Sequence, residues 1–252
     1  MPAHRRFATK PQLLQAMIQR AVAAGVPFGW VTADEAYGDN GPLRAWLERE
    51  KIPYVLAVAR DHLVTTPTGP RRADVLAGAG AWHRLSCGNG AKGRHWYDWA
   101  LFATGWPEIS LLVRRSVARP SELAFYLCHT PQPVPLAVLV KVAGTRWCVE
   151  ECFQAGKNEA GLDHYQVRLY KAWYRHVTLA MLALAWLAVT RAALADGSDQ
   201  LVTSANEVRR MFTALCGPSR HKQHARHWSR WRHRHQERAR HFHYQRQRLQ
   251  DH

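Results

Sequence analysis

The sequence predicts an α/β fold, and three observations predict it. Helix-periodic stretches alternate with short apolar runs over the first sixty residues. A middle region is dense in aromatic and β-branched residues between Gly/Pro punctuation, and the chain after it returns to helical patterning.

The elements follow in order. KPQLLQAMIQRAVAAG (10–25) has helical apolar spacing and closes on Gly25, a C-terminal stop. VPFGWVTADEAYGDNG (26–41) carries a short apolar run that halts at Asp34 and Glu35 before a Gly/Asn/Asp turn, the pattern of a buried strand reaching its end. GPLRAWLEREK (41–51) predicts a second helix and YVLAVA (54–59) a second buried strand. WHRLSC, HWYDWALFAT, SLLVRRSV and ELAFYLCH then predict a mainly β insertion. After the PQPVP linker, helices are expected through 146–161, across 168–195 and near 204–215. The division expected is 1–60, first part of the core; 61–132, β-rich insertion; 133–217, helical part; 218–252, tail.

Composition narrows the partners. With 252 residues and 47% hydrophobic residues the chain can build a real core. The formal net charge of +16 points to a polyanion, nucleic acid or an anionic membrane surface. The tail contributes +8 of this, with ten Arg/Lys against Glu237 and Asp251, and eight of the fifteen histidines. It sustains no apolar stripe, so a disordered or weakly helical arm is expected, with Arg226, Arg230 and Arg234 as candidates for DNA phosphates. The alternative is a merely solubilising end.

Five cysteines without a CxxC pair indicate neither a disulfide framework nor a common zinc module. Cys148 and Cys152 share a helical face, where core packing is the expectation. The N-terminus has no secretory h-region, and HVTLAMLALAWLAVT (176–190), 15 residues between Arg175 and Arg191, is short of a bilayer span and predicts a buried helix. No membrane partner is expected, and reduced thiols fit the cytoplasm.

RWCVEECFQAGKNEAG (146–161) holds charges among apolar residues. At about 100° per residue, with Arg146 at zero, Glu150 falls near 40° and Lys157 near 20°, while Glu151 turns away to roughly 140°. One reading is a solvated salt-bridge stripe; the other is a metal-binding glutamate flanked by phosphate-binding cations. The second requires further carboxylates. Asp34, at a strand end, is the preferred one; Glu35 points to the opposite face, and Asp39 is expected to cap the 41–51 helix.

The order of a strand ending in Asp34, the strand at 54–59, a β insertion and a helix bearing Glu150 resembles the RNase H-like core of DDE transposases from bacterial insertion sequences, those with a β insertion ahead of the final glutamate. The resemblance rests on VTADEAYGDNGPLRAWL (31–47), on Arg146-x3-Glu150-x6-Lys157, on NEAGLDHYQVR (158–168) and on HWYDWA (95–100), and spans roughly residues 5–200. Where the family has a tyrosine three residues before the arginine, this chain has Ala143. The family's first catalytic aspartate precedes the helix that begins here near residue 10, so the resemblance implies a core lacking its first strands, from a truncated or mis-started transposase.

The resemblance implies metal-dependent DNA strand cleavage and strand transfer at element ends, with Asp34 and Glu150 as catalytic metal ligands and Arg146 and Lys157 on phosphates. Two Mg²⁺ ions, with Mn²⁺ as the alternative, suit hard carboxylate oxygens and can stabilise both attacking and leaving oxygens. Trp96 and Trp99 are candidates to stack on an unpaired base, the alternative being core. Double-stranded DNA, a homodimer on paired ends and a nucleoid location in the bacterial cytoplasm are the implied setting. A catalytically inactive DNA-binding remnant and a structure-specific nuclease are the competing readings. His164 and Tyr165 are expected in a helix-connecting turn, the alternative being the border of the active site.

Overall fold

The computed structural model describes residues 7–90, 93–195, 204–216 and 222–250. By contacts the chain forms two units: Arg5–Gly90 with Arg94–Trp147, and, for the most part, Cys148–His252.

The first unit is mixed α/β. Helix α1 (Lys10–Ala23) starts in a capping box, with Thr9 and Gln12 each satisfying the other's backbone N–H. Strand β1 (Val31–Ala33) is followed by the single turn α2 (Glu35–Gly38), by α3 (Gly41–Arg49) and by β2 (Tyr54–Val58). Then come β3 (Leu63–Thr66), β4 (Gly69–Arg72), α4 (Ala73–Leu76), β5 (His83–Gly90), β6 (Gly93–Ala103), β7 (Ile109–Ser116), β8 (Leu123–His129) and α5 (Leu136–Thr145).

Six strands form one sheet in the order β1-β2-β8-β7-β6-β5, and β3 and β4 pair as a separate hairpin. β1 and β2 run parallel; β2 and β8 run antiparallel from Tyr54↔His129 to Val58↔Phe125. Residues 61–132, the stretch expected as a β-rich insertion, supply four strands to the sheet that begins with β1 and β2. Strand patterning reports alternation and turns, not which neighbour a strand will choose, so it does not separate an added sheet from an extended one.

Alternation along the strands builds two cores. Tyr54, Leu56, Val58, Leu111, Val113, Phe125 and Leu127 share one face with Ile18 of α1 and Leu43, Trp46 and Leu47 of α3. Val55, Leu112, Tyr126, Cys128 and Trp99 pack with Leu139, Val140, Val142 and Ala143 of α5. Two glycines permit the close approaches. A Cβ on Gly38 would run into the Ala57 carbonyl of β2, and one on Gly144 into the Cys87 carbonyl of β5. At the sheet's far side Asp98, nearly buried, accepts hydrogen bonds from Arg84 at 3.0 Å and Arg115 at 3.1 Å. Arg115 also lies 4.1 Å from the Trp82 ring centroid.

The second unit is helical: α6 (Trp147–Ala160, beginning one residue inside the first unit), α7 (Tyr170–Ala195), α8 (Ala205–Cys216) and α9 (Lys222–Gln250). Residues 161–169, with His164 and Tyr165, connect α6 to α7 as a turn, and Gly161 takes φ +64°. Glu159 of α6 meets Arg209 of α8 at 2.8 Å and Asn206 at 3.0 Å, and Trp186 of α7 meets Phe212 of α8 edge to face.

Three expectations are corrected here. The tail is not a disordered arm: α9 is helical through Gln250. No Pro or Gly lies within 222–250, and Glu207, Ser229 and Arg232 link the helix to α8. The apolar segment 176–190 is not a buried helix of that length. α7 runs for 26 residues, tolerating Lys171, Arg175 and Arg191 near its ends, and exposes Leu179, Met181, Leu182 and Val189. By length and composition alone it is a helix able to cross a membrane, with 11% of its apolar window buried. Cys148 and Cys152 are exposed, not core.

Gly38→Ala forces α2 away from β2 and is expected to destabilise the first unit by about 1–3 kcal/mol. Urea unfolding followed by far-UV circular dichroism reads this, with Gly29→Ala, where a Cβ meets nothing within 4 Å, as the benign control.

Candidate functional site

Asp34 follows the last residue of β1 in extended conformation, and its Oδ1 accepts the N–H of Ala36 at 3.1 Å as the N-cap of α2. It is exposed, at the end of a strand pinned by the β1/β2 ladder. Glu35 is exposed in the first turn of α2.

Asp39 does not cap α3. Asn40 does, accepting from Leu43 N–H at 2.9 Å. Asp39 reaches across the sheet edge instead, where both carboxylate oxygens accept the N–H of Ala59 at 3.3 Å and Oδ1 lies 2.7 Å from Nδ1 of His62. Burial, with Arg44 nearby, pushes the His62 imidazole below its ordinary value, and the Asp39 hydrogen bond offsets this only in part.

His62 borders a cleft of about 520 Å³ that sequence reasoning missed. Arg44, Glu48, Tyr54, Glu108 and His129 line it as well. The Tyr54 hydroxyl donates to Glu48 at 2.6 Å, and burial together with that carboxylate raises the Tyr54 pKa far above the phenol range. His129 is buried, and its Nδ1 lies 3.1 Å from the Ile52 carbonyl, to which it donates as N–H. These residues come from α3, β2, β8 and the loops before β3 and β7, so no local motif announces them.

The second set lies on α5 and α6. Arg146 ends α5 with helical φ/ψ, and its guanidinium sits 5.4 Å from the Trp147 ring. Glu150 and Lys157 are exposed on α6; seven residues apart, they share a face after two turns. Glu151 is also exposed. Asp34 belongs to the first unit and Glu150 to the second.

Trp99 is corrected as a stacking candidate. It is 1% exposed, and its indole N–H donates to the Leu85 carbonyl at 3.2 Å, so the ring is core. Trp96, its neighbour on the opposite face of β6, is 41% exposed with Arg94 5.9 Å from its centroid. Arg230 and Arg234 are exposed on α9. The side chain of Arg226 lies outside the described residues.

Residues 1–85 match the family model of the DDE superfamily endonucleases. The match takes in β1, Asp34, Asp39 and His62, and stops before Trp96, Arg146, Glu150 and Lys157. It supports a DDE-type nuclease or transposase family for that part of the chain. No curated protein matches the chain. DDE superfamily nucleases generally use divalent metals. Among the described residues no three His, Cys, Asp or Glu side chains gather as a metal site. Asp34 and Glu150 have the hard oxygens such an ion prefers, and Mg²⁺ is commonly held by one or two carboxylates together with waters and substrate phosphates.

Asp39 and His62 carry a pH-dependent prediction. With a lowered folded-state pKa, His62 binds fewer protons folded than unfolded just below its ordinary value of 6.5. Its contribution is fully present above about pH 6.5 and is lost as pH falls below it. In urea titrations the wild type should lose more stability between pH 7.5 and 5.5 than His62→Gln does. Asp39→Ala, which strips the Ala59 N–H of its acceptor, should cost about 1–2 kcal/mol at pH 7.5.

Proposed function

We propose that this protein is an insertion-sequence transposase of DDE type that cleaves DNA strands and transfers them at element ends. In this reading the β1–β2 pair belongs to an RNase H-like core. Asp34 and Glu150 hold Mg²⁺, or Mn²⁺ in its place, and Arg146 and Lys157 take the phosphates beside the scissile bond. A bound divalent ion would supply Lewis-acid stabilisation of the phosphoryl oxygens and a more acidic water.

The observation that carries the reading is Asp34: an exposed carboxylate at the C-terminal end of a parallel strand, inside the stretch that matches the DDE endonuclease model. The exposed Glu150 and Lys157 on one face of α6 support it, as does the net charge of +16. The chain's own contribution is positional. The strand and the α2 cap fix the Asp34 carboxylate, and Lys157 presents a cation two turns from Glu150, suited to a phosphate next to a carboxylate-bound centre. A homodimer on paired ends, acting on duplex DNA at the bacterial nucleoid, belongs to the same proposal.

A second reading, a DNA-binding remnant without activity, is favoured by the lack of a three-ligand cluster among the described residues. Nicking of supercoiled plasmid separates the two. The transposase reading expects nicking that needs Mg²⁺ or Mn²⁺, stops on chelation, and falls at least about 100-fold in Asp34→Asn and in Glu150→Gln. Nicking that survives Glu150→Gln overturns the site, and retained DNA binding with no nicking decides for the remnant.

A further inference from the structure

α9 meets α8 through one face and carries a row of arginines beside large rings on its solvent side. Ser229 and His233 are buried and Arg232 is half-buried, which defines the inward face. Taking Ser229 as zero and about 100° per residue, Arg230, Arg234 and Arg238 fall at about 100°, 140° and 180°. Trp231, Phe242 and His235 follow at about 200°, 220° and 240° by the same rule. All six are exposed. The helix thus carries a stripe of guanidinium groups, about 6 Å apart along its axis, flanked along its length by a stripe of rings.

Two further exposed rings, His227 and His241, fall among the arginines at about 160° and 120°. Trp231 and His235 pack against each other as a tilted pair, with centroids 3.9 Å apart and planes 30° apart, and Phe242 is 61% exposed two turns further on. Large exposed rings beside a cationic row have a specific use. Guanidinium groups hold phosphates on any nucleic acid, but a duplex buries its base faces in the stack, leaving the rings nothing planar to meet. A single strand offers both a phosphate row and unstacked bases. Glu237, at about 80°, lies on the far side of the arginines from the rings, so it does not interrupt the pairing of the two stripes.

We propose that this face of α9 binds single-stranded DNA, its phosphates on Arg230, Arg234 and Arg238 and its bases on Trp231, His235 and Phe242. The choice of DNA rests on the proposed function; the preference for a single strand rests on the two stripes.

Binding is measured on the full chain in EDTA, so that loss of nicking and loss of binding are read separately. Labelled 20-nucleotide single-stranded DNA, a duplex of the same sequence and the matching RNA are compared by fluorescence anisotropy across a salt series. The single strand should bind at least about tenfold tighter than the duplex and quench tryptophan fluorescence. Trp231→Ala combined with Phe242→Ala should weaken single-strand binding roughly tenfold or more and leave duplex binding within about twofold. Replacing the three arginines by alanine should weaken both DNAs and reduce the single-strand salt slope by about 2. Equal or tighter duplex binding overturns the proposal, as does indifference of single-strand binding to the aromatic substitutions. RNA bound tenfold tighter than DNA overturns the choice of DNA. A dimer seen by light scattering that the aromatic substitutions dissolve, with single-strand binding unchanged, assigns the face to a second copy instead. Should a variant lose helical circular dichroism, tryptophan quenching of the unsubstituted chain decides, and quenching by the duplex equal to that by the single strand rejects the proposal.

Discussion

The parallel pairing of Val31–Ala33 with Tyr54–Leu56 is the constraint on which the candidate site depends. It is three residues long, and residues 34–39 stiffen the turn in which it ends. Asp34 caps α2 by accepting from Ala36, Gly38 lets that turn lie on Ala57, and Asp39 accepts from Ala59 just past the end of β2. The segment is thereby held at both ends by carboxylate-to-backbone bonds. The two aspartates divide the work: Asp39 spends both oxygens on structure, whereas the cap of α2 engages one oxygen of Asp34. The same logic fixes His62, whose partner is already held by the backbone it caps.

A chain of charge +16 has an excess of cations, and the least exposed acids are each paired with arginine. Glu207 is 4% exposed; burial pushes its pKa up, and hydrogen bonds from Ser229 and Arg232 more than offset this, holding it below its usual value. Glu159 is taken up by Asn206 and Arg209, and Asp98 by Arg84 and Arg115, with Arg84 first among the causes that lower its pKa. Glu207 and Glu159 are taken up where α6, α8 and α9 meet. This is how α9 holds to α8 through Arg232 while presenting Arg230, Arg234 and Arg238 to solvent. Net charge alone speaks for a polyanion; the row of exposed arginines on α9 is one surface suited to meet it.

Local signals are legible in the sequence and long-range choices are not. The capped start of α1, the stop of β1 at Asp34, α3 and β2 all lie within a few residues of where periodicity and turn chemistry put them. The pairing of β2 with β8, about seventy residues on, has no local signature. Trp96 and Trp99 show the limit at residue level. Period-2 alternation puts them on opposite faces of β6 without saying which face is covered, and only the docking of α5 decides that Trp99 is buried while Trp96 is exposed. Asp39 reads as a cap because Asp in a turn before a helix usually is one. Asn40, one residue nearer, takes that place. The cleft holding His62 and His129 needs several separate segments to meet, which no spacing rule encodes.

The two candidate carboxylates differ in how firmly the fold holds them, and that difference bears on catalysis. Asp34 sits on a strand and in a cap, each of which costs free energy to distort. Glu150 stands in the first turns of α6, where 148 to 154 are exposed on every side and Trp147, Val149 and Phe153 show 42%, 53% and 56% of their surface. A helix exposed all round draws little stability from burial and depends on its own hydrogen bonds and on its anchored end, here Gly156 against Leu162 and Glu159 on α8. Phosphoryl transfer requires reacting groups placed to within a fraction of an ångström. Under the proposed function, the ordering of α6 rather than of the sheet governs whether Glu150 and Lys157 reach a productive arrangement, and apolar surface at Val149 and Phe153 is a free-energy source available to order it.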